Sequence, residues 1–262
     1  MSQFDISFTR RALLAHAPAL ALTTSAVVVA SPRTESAQHT FEAYVRVRGS
    51  LVDEPVYERV SGWTYGAVPG EPARLLWRLD GFSVSRYRRT SPTQFLGRSR
   101  YLGALRDPRG PAILQHFENP YTGARNDVPL SKYGPSTMYL TPGGVRGSAD
   151  APAGPPLQPT QLGEWIYFTD HVLSTGPAAV QPDFDIVSYG ARTAEAFDAR
   201  RRSVGFSAGF TGVERWRDWM QMGEREGGLV WHVNSAKVGR ADVPPDLLAL
   251  AREAWGERID EF

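Results

Sequence analysis

Between Pro55 and Asp107 the sequence alternates apolar and polar residues in long runs, and each run ends at a turn signal. "PVYERVSGWTYGAV" leads to Pro69-Gly70, "LLWRLDGFSVSRYRRT" to "SP" at 91–92, and "QFLGRSRYLGALRD" to "DPRG" at 107–110. A period of two sends successive side chains to opposite faces of a strand. Pro-Gly and Asp-Pro pairs stop such runs by fixing φ and admitting tight turns. Strands this closely joined are antiparallel neighbours in a meander, because parallel pairing needs a crossover of a dozen or more residues. "TFEAYVRVRGS" reads the same way upstream, with Phe41, Ala43, Val45 and Val47 on one face and Glu42, Tyr44, Arg46 and Arg48 on the other.

The pattern is interrupted at about 133–162, where Gly and Pro are too dense for a long helix or a central strand, so a surface excursion is expected there. Strands resume at "EWIYFTDHVLST" and "GGLVWHVNSAKVG", while Ala194–Arg202 reads as either helix or strand. "VPPDLLALAREAWGERIDEF" opens with Pro and carries Leu247, Leu248, Leu250, Ala251 and Trp255 on one stripe, a C-terminal amphipathic helix. The expected fold is a single mainly β domain over residues 38–262. It is an antiparallel barrel or strongly curved closed sheet, lipocalin-like in architecture, with the helix packed against it. Closure removes exposed edges, and about eight strands leave room inside for one small ligand.

Residues 1–37 read as an export signal and linker. Arg10-Arg11 precede a weakly apolar, alanine-rich stretch to Ala30 and then a small polar segment, the order of a twin-arginine signal. Cleavage is expected after Ala30 or Ala37, with an uncleaved membrane anchor as the alternative. The implied partner is the twin-arginine (Tat) export machinery and the implied location periplasmic or secreted, with no stable membrane span after cleavage. A net charge of +1 gives no field for nucleic acid, and the absence of Cys removes disulfides and thiolate chemistry.

"GFSAG" at 205–209 matches the G-x-S-x-G of a nucleophile elbow, but no βαβ pattern precedes it. Gly209 and Gly212 follow too soon for a helix. It reads as glycines at a bend. His39, His116, His171 and His232 show no metal-ligand spacing, and no phosphate-binding loop occurs, so neither metal nor cofactor is expected. Tyr and Trp on alternating strands are mostly core, yet they also suit a pocket for an aromatic ligand. His232, mid-strand beside Trp231, is the candidate general base, with Asp170 or His171 assisting. Arg46 and Arg48 are candidate donors to a ligand oxygen.

Four blocks carry a resemblance: "YVRVRGS" at 44–50, "YGAVPGEP" at 65–72, "NPYTG" at 119–123, and "WMQMG…LVWH" between 219 and 232. In this order they resemble the bacterial family of unknown function DUF1838, over essentially the whole chain beyond the export signal. The resemblance marks Arg46, Arg48, Asn119, Tyr121, Trp219 and His232 as family-pattern positions and implies no chemistry for them; Arg46, Arg48, Tyr65, Asn119, Tyr121, Trp219 and Trp231 are the candidate ligand-binding residues. "ARNDVPLSKYG" after the third block departs from the pattern. The functional expectation is an exported protein binding a small apolar or aromatic molecule in a β-barrel pocket. It would be a cofactor-independent lyase, isomerase or hydrolase, or alternatively a non-catalytic carrier.

Overall fold

The computed structural model describes residues 36–147, 156–174 and 183–261; the expected export signal lies outside them. Strands β1 (Val56–Ala67), β2 (Arg74–Ser91) and β3 (Gln94–Arg106) are the three runs read from the alternation, and β1–β2 and β2–β3 pair antiparallel. A small hairpin of β4 (His116–Glu118) and β5 (Arg125–Asp127) follows. Then come β6 (Ser131–Thr141), β7 (Gly144–Arg146), β8 (Thr160–Leu162), β9 (Trp165–Ser174), β10 (Asp183–Arg192), β11 (Ser207–Glu214) and β12 (Gly228–Val238). Ten strands form one sheet in the order β7-β6-β3-β2-β1-β12-β11-β10-β9-β8, curled into a half-barrel. The first and last strands in sequence, β1 and β12, pair at its middle, whereas β7 and β8 are its edges. The strong curvature expected of the sheet is found; among the described residues β7 and β8 do not pair with each other.

Two further expectations are corrected. The described part of the segment expected as a loop at 133–162 supplies most of β6 and all of β7 and β8; Gly134 and Pro135 fall at a register shift between β3 and β6, and Pro142 and Gly143 fall in the turn before β7, where strand interruptions are tolerated. The segment read as a first strand is a helix, α1 (Ala37–Arg48). Its apolar residues fit both periods, since Phe41, Tyr44 and Val45 also follow i, i+3, i+4. The Ser36 side chain caps α1 by accepting from the His39 backbone N–H at 3.2 Å, and Gly49 N–H closes its last turn on the Val45 carbonyl at 2.8 Å. Phe41, Ala43, Tyr44, Val45 and Val47 are all buried. A helix buried on so many sides has protein around it. α1 packs against the concave side of the sheet, with Phe95 and Leu140 from one limb and Ile166, Phe168, Val187 and Tyr189 from the other.

The convex face carries α3 (Pro245–Trp255), with Pro at its first turn. Leu247 and Ala251 bury against Tyr57, Phe82, Val84, Leu102 and Ala104. Charge anchors the contact as well: Arg106 donates to Asp80 at 2.7 Å and to Asp246 of α3 at 2.6 Å, and Arg59 also pairs with Asp80. The ambiguous stretch after β10 begins with one helical turn, α2 (Thr193–Ala196), and is otherwise irregular.

Candidate functional site

Strand parity decides which side chains meet inside the half-barrel. On β1, Glu58 and Val60 face the concave side; their partners are Ser83 and Gly81 on β2 and Lys237 and Ser235 on β12. The same parity brings in Tyr101 from β3, Tyr133 and Ser136 from β6, Val187 and Tyr189 from β10, and Phe210 from β11. With Trp231 and Val233 they line a chamber of about 620 Å³. The Tyr101 ring lies across Gly81 and Gly103, where any Cβ would collide with it. Glycine at these two strand positions is therefore what lets an aromatic wall lie flat and leave the centre hollow. A second hollow of about 390 Å³ shares Ser131, Tyr133, Glu214 and Arg217 with the chamber.

The chamber is mostly apolar with a few polar groups, the ordinary make-up of a small-molecule site. On its floor, Ser83 Oγ donates to Glu58 Oε2 at 3.3 Å. Burial pushes the Glu58 carboxyl above its usual range, partly offset by Ser235, Arg48, Ser83 and Lys237. Ser235 is 6% exposed, and its Oγ lies against that carboxylate without a well-aligned hydrogen bond. At the other end, Arg217 donates to Glu214 at 2.8 Å and to Ser131 at 3.1 Å.

Behind the floor stands a buried polar network built on α1. Tyr44 donates to both oxygens of Asp170, at 2.8 and 2.9 Å. One Arg48 nitrogen bonds Asp170 and also Tyr189 Oη, the latter at 2.8 Å. Burial pushes the Tyr189 phenol up to about 12, against the pull of Arg48. Lys237 Nζ donates to the carbonyls of Arg46 and Gly49, at 3.0 and 2.8 Å, and to Ser203 Oγ at 3.0 Å. An ammonium at the C-terminal end of α1 complements its unpaired carbonyls and its dipole.

The residues singled out by sequence are dispersed. Asp170 and Arg48 are brought together, and Trp231 lines the chamber beside Phe210, 4.4 Å between ring centroids. Arg46 is 2% exposed, but it donates to the Arg201 and Ala196 carbonyls and does not line the chamber. A one-strand reading put Arg46 beside Arg48; on a helix, residues two apart diverge by about 200°. Asn119, Tyr121 and Trp219 form a separate cluster at the β4–β5 hairpin. Asn119 Nδ2 donates to the Met220 carbonyl at 2.8 Å, Tyr121 lies between Arg74 and Arg225, and Trp219 packs on Trp77 and Phe117. Gly123, at φ 73°, supplies the left-handed residue that turns "NPYTG". Tyr65 is half-buried opposite Val230 and does not line the chamber.

His232 is the main correction. It occupies the opposite parity from Trp231, is exposed on the convex face, and its Nδ1 meets Thr211 Oγ1 at 2.8 Å. A side chain there cannot reach a molecule in the chamber. His171 follows Asp170 on β9, and its side chain lies outside the described residues. Ser207 of "GFSAG" is an exposed residue of β11, as expected of a bend leading into a strand. Among the described residues, no three His, Asp or Glu side chains converge as a metal site.

The DUF1838 family model, described as a protein of unknown function, matches residues 53–131. That span holds β1 to β3, the β4–β5 hairpin, and the Glu58, Ser83 and Tyr101 walls of the chamber. No curated protein matches the chain.

Proposed function

We propose that the protein binds one small, largely apolar or aromatic molecule on the concave side of its half-barrel. The observation that carries this is the hollow itself: about 620 Å³ left between Trp231, Phe210, Tyr101 and Tyr189, with polar groups at several points of its wall. Native mass spectrometry of the purified mature chain tests it. A co-purified small molecule is expected, and it should be lost when the rim residue Ser136, exposed and so tolerant of change, is replaced by Trp.

A catalytic reading is favoured by one specific feature, the Glu58 carboxyl raised by burial at the chamber floor. A carboxylate in such surroundings suits proton transfer in a cofactor-independent lyase or isomerase, the role sequence gave to His232. Turnover of the bound compound by the wild type and not by Glu58→Gln would support it; unchanged turnover would end it. The Arg10-Arg11 pair before its apolar stretch supports export through the twin-arginine machinery to the periplasm or beyond. Replacing both with Lys is expected to leave the precursor in the cytoplasm.

A further inference from the structure

Resting on the ligand-binding reading of the chamber, we infer that its floor is a subsite for a neutral hydroxyl group, and that the ligand is a phenol. The phenol O–H donates a hydrogen bond to Glu58, and Ser235 donates to the phenol oxygen.

The floor offers an acceptor and an unused donor side by side. Glu58 takes the Ser83 hydroxyl at 3.3 Å and lies beside Ser235, and a carboxylate has room for further donors. Ser235 Oγ is buried beside that carboxyl without a well-aligned hydrogen bond, so it can still gain by meeting a ligand oxygen. A ligand hydroxyl meets both needs at once, since it donates one bond and accepts others. Carboxylate or ammonium ligands fit less well. Glu58 lines the floor and repels an anion there, while Glu214 at the other end is paired with Arg217. Arg48 from α1 and Lys237 from β12 act electrostatically on Glu58 from behind the floor and repel a cation. The other ionisable groups nearest this network, Tyr87 on β2 and Tyr189 on β10, are buried phenols with raised values. Above the floor, Trp231, Phe210, Tyr189 and Tyr101 present ring faces and edges to a flat body.

Equilibrium dialysis of the mature protein against 2-naphthol, naphthalene, 2-naphthoate and 2-naphthylmethylamine tests the inference. 2-Naphthol is expected to bind about tenfold or more tighter than naphthalene, the scale of one hydrogen bond to a charged group. It should also exceed the acid and the amine. Glu58→Gln should bring 2-naphthol down towards naphthalene, and Ser235→Ala should weaken it in the same direction. Naphthalene binding should be unchanged in both variants, which shows that the chamber is intact. Equal binding of naphthol and naphthalene, or a wild-type preference for the amine or the acid, overturns the hydroxyl subsite while leaving the chamber. Binding of none of the four overturns both readings.

Discussion

Glu58 and Lys237 stand directly opposite each other on β1 and β12, and burial drives both towards their neutral forms. The carboxyl is raised, and the ammonium is lowered to about 7. The two nevertheless face different tasks. Glu58 is at the chamber floor, whereas Lys237 holds the end of α1 through three acceptors. The link joins the helix that fills one end of the concave face to the strand pair that floors the chamber.

The folded value of Lys237, about 7, lies below the ordinary lysine value of about 10.4, so between these limits the unfolded chain binds more protons. Stability contributed by this group therefore rises with pH through that window. Lys237→Met should remove the slope, read from thermal melting of both proteins at several pH values from 7 to 10; an undiminished slope in the variant would contradict it.

Glu58 gives the opposite slope. A raised carboxyl binds its proton more tightly in the folded state, so stability falls as pH rises from about 4.3 through the folded value. Glu58→Gln should stabilise the unliganded protein at pH 8 and leave it nearly unchanged at pH 4. Urea unfolding at the two values checks this, and equal effects at both would show that the carboxyl is not perturbed.

Arg48 and Asp170 form an almost fully buried ion pair, with side chains 14% and 7% exposed. Removing one partner strands the other's charge, at a cost of about 3–5 kcal/mol. Arg48→Met and Asp170→Asn should each lose stability on that scale, and the double variant should lose much less than their sum. Additive losses in denaturant unfolding would mean that the pair is not coupled.

His232→Ala should change stability by less than about 0.5 kcal/mol, as is usual for an exposed residue outside any buried network. Ligand affinity should not change. A large affinity loss in a direct binding titration would place the ligand on the convex face.

Sequence alone made the meander legible, because the alternation in β1, β2 and β3 is long and Pro-Gly, Ser-Pro and Asp-Pro-Arg-Gly end each run. It also made α3 legible, through Pro at the start and a single apolar stripe. It misled at α1, where twelve residues satisfy both periods and burial on several sides erases the polar face that would decide. His232 stood out as a chemically able side chain, but one register step separates the wall of the chamber from its outer surface. The overlooked residue was Glu58. It shares parity with Val56 and Val60, so a carboxylate on the apolar face of a strand was visible in "VYERV". Lys237 carried a second signal, being one of two lysines in a chain that otherwise uses Arg.

The most direct measurement is a crystal structure of the protein soaked with 2-naphthol. Electron density for the ring is predicted on the concave side against Trp231 and Phe210, with its hydroxyl on Glu58 and Ser235. Density on the convex surface by Trp63 and His232, with the chamber left empty, would contradict that placement and every functional statement built on it.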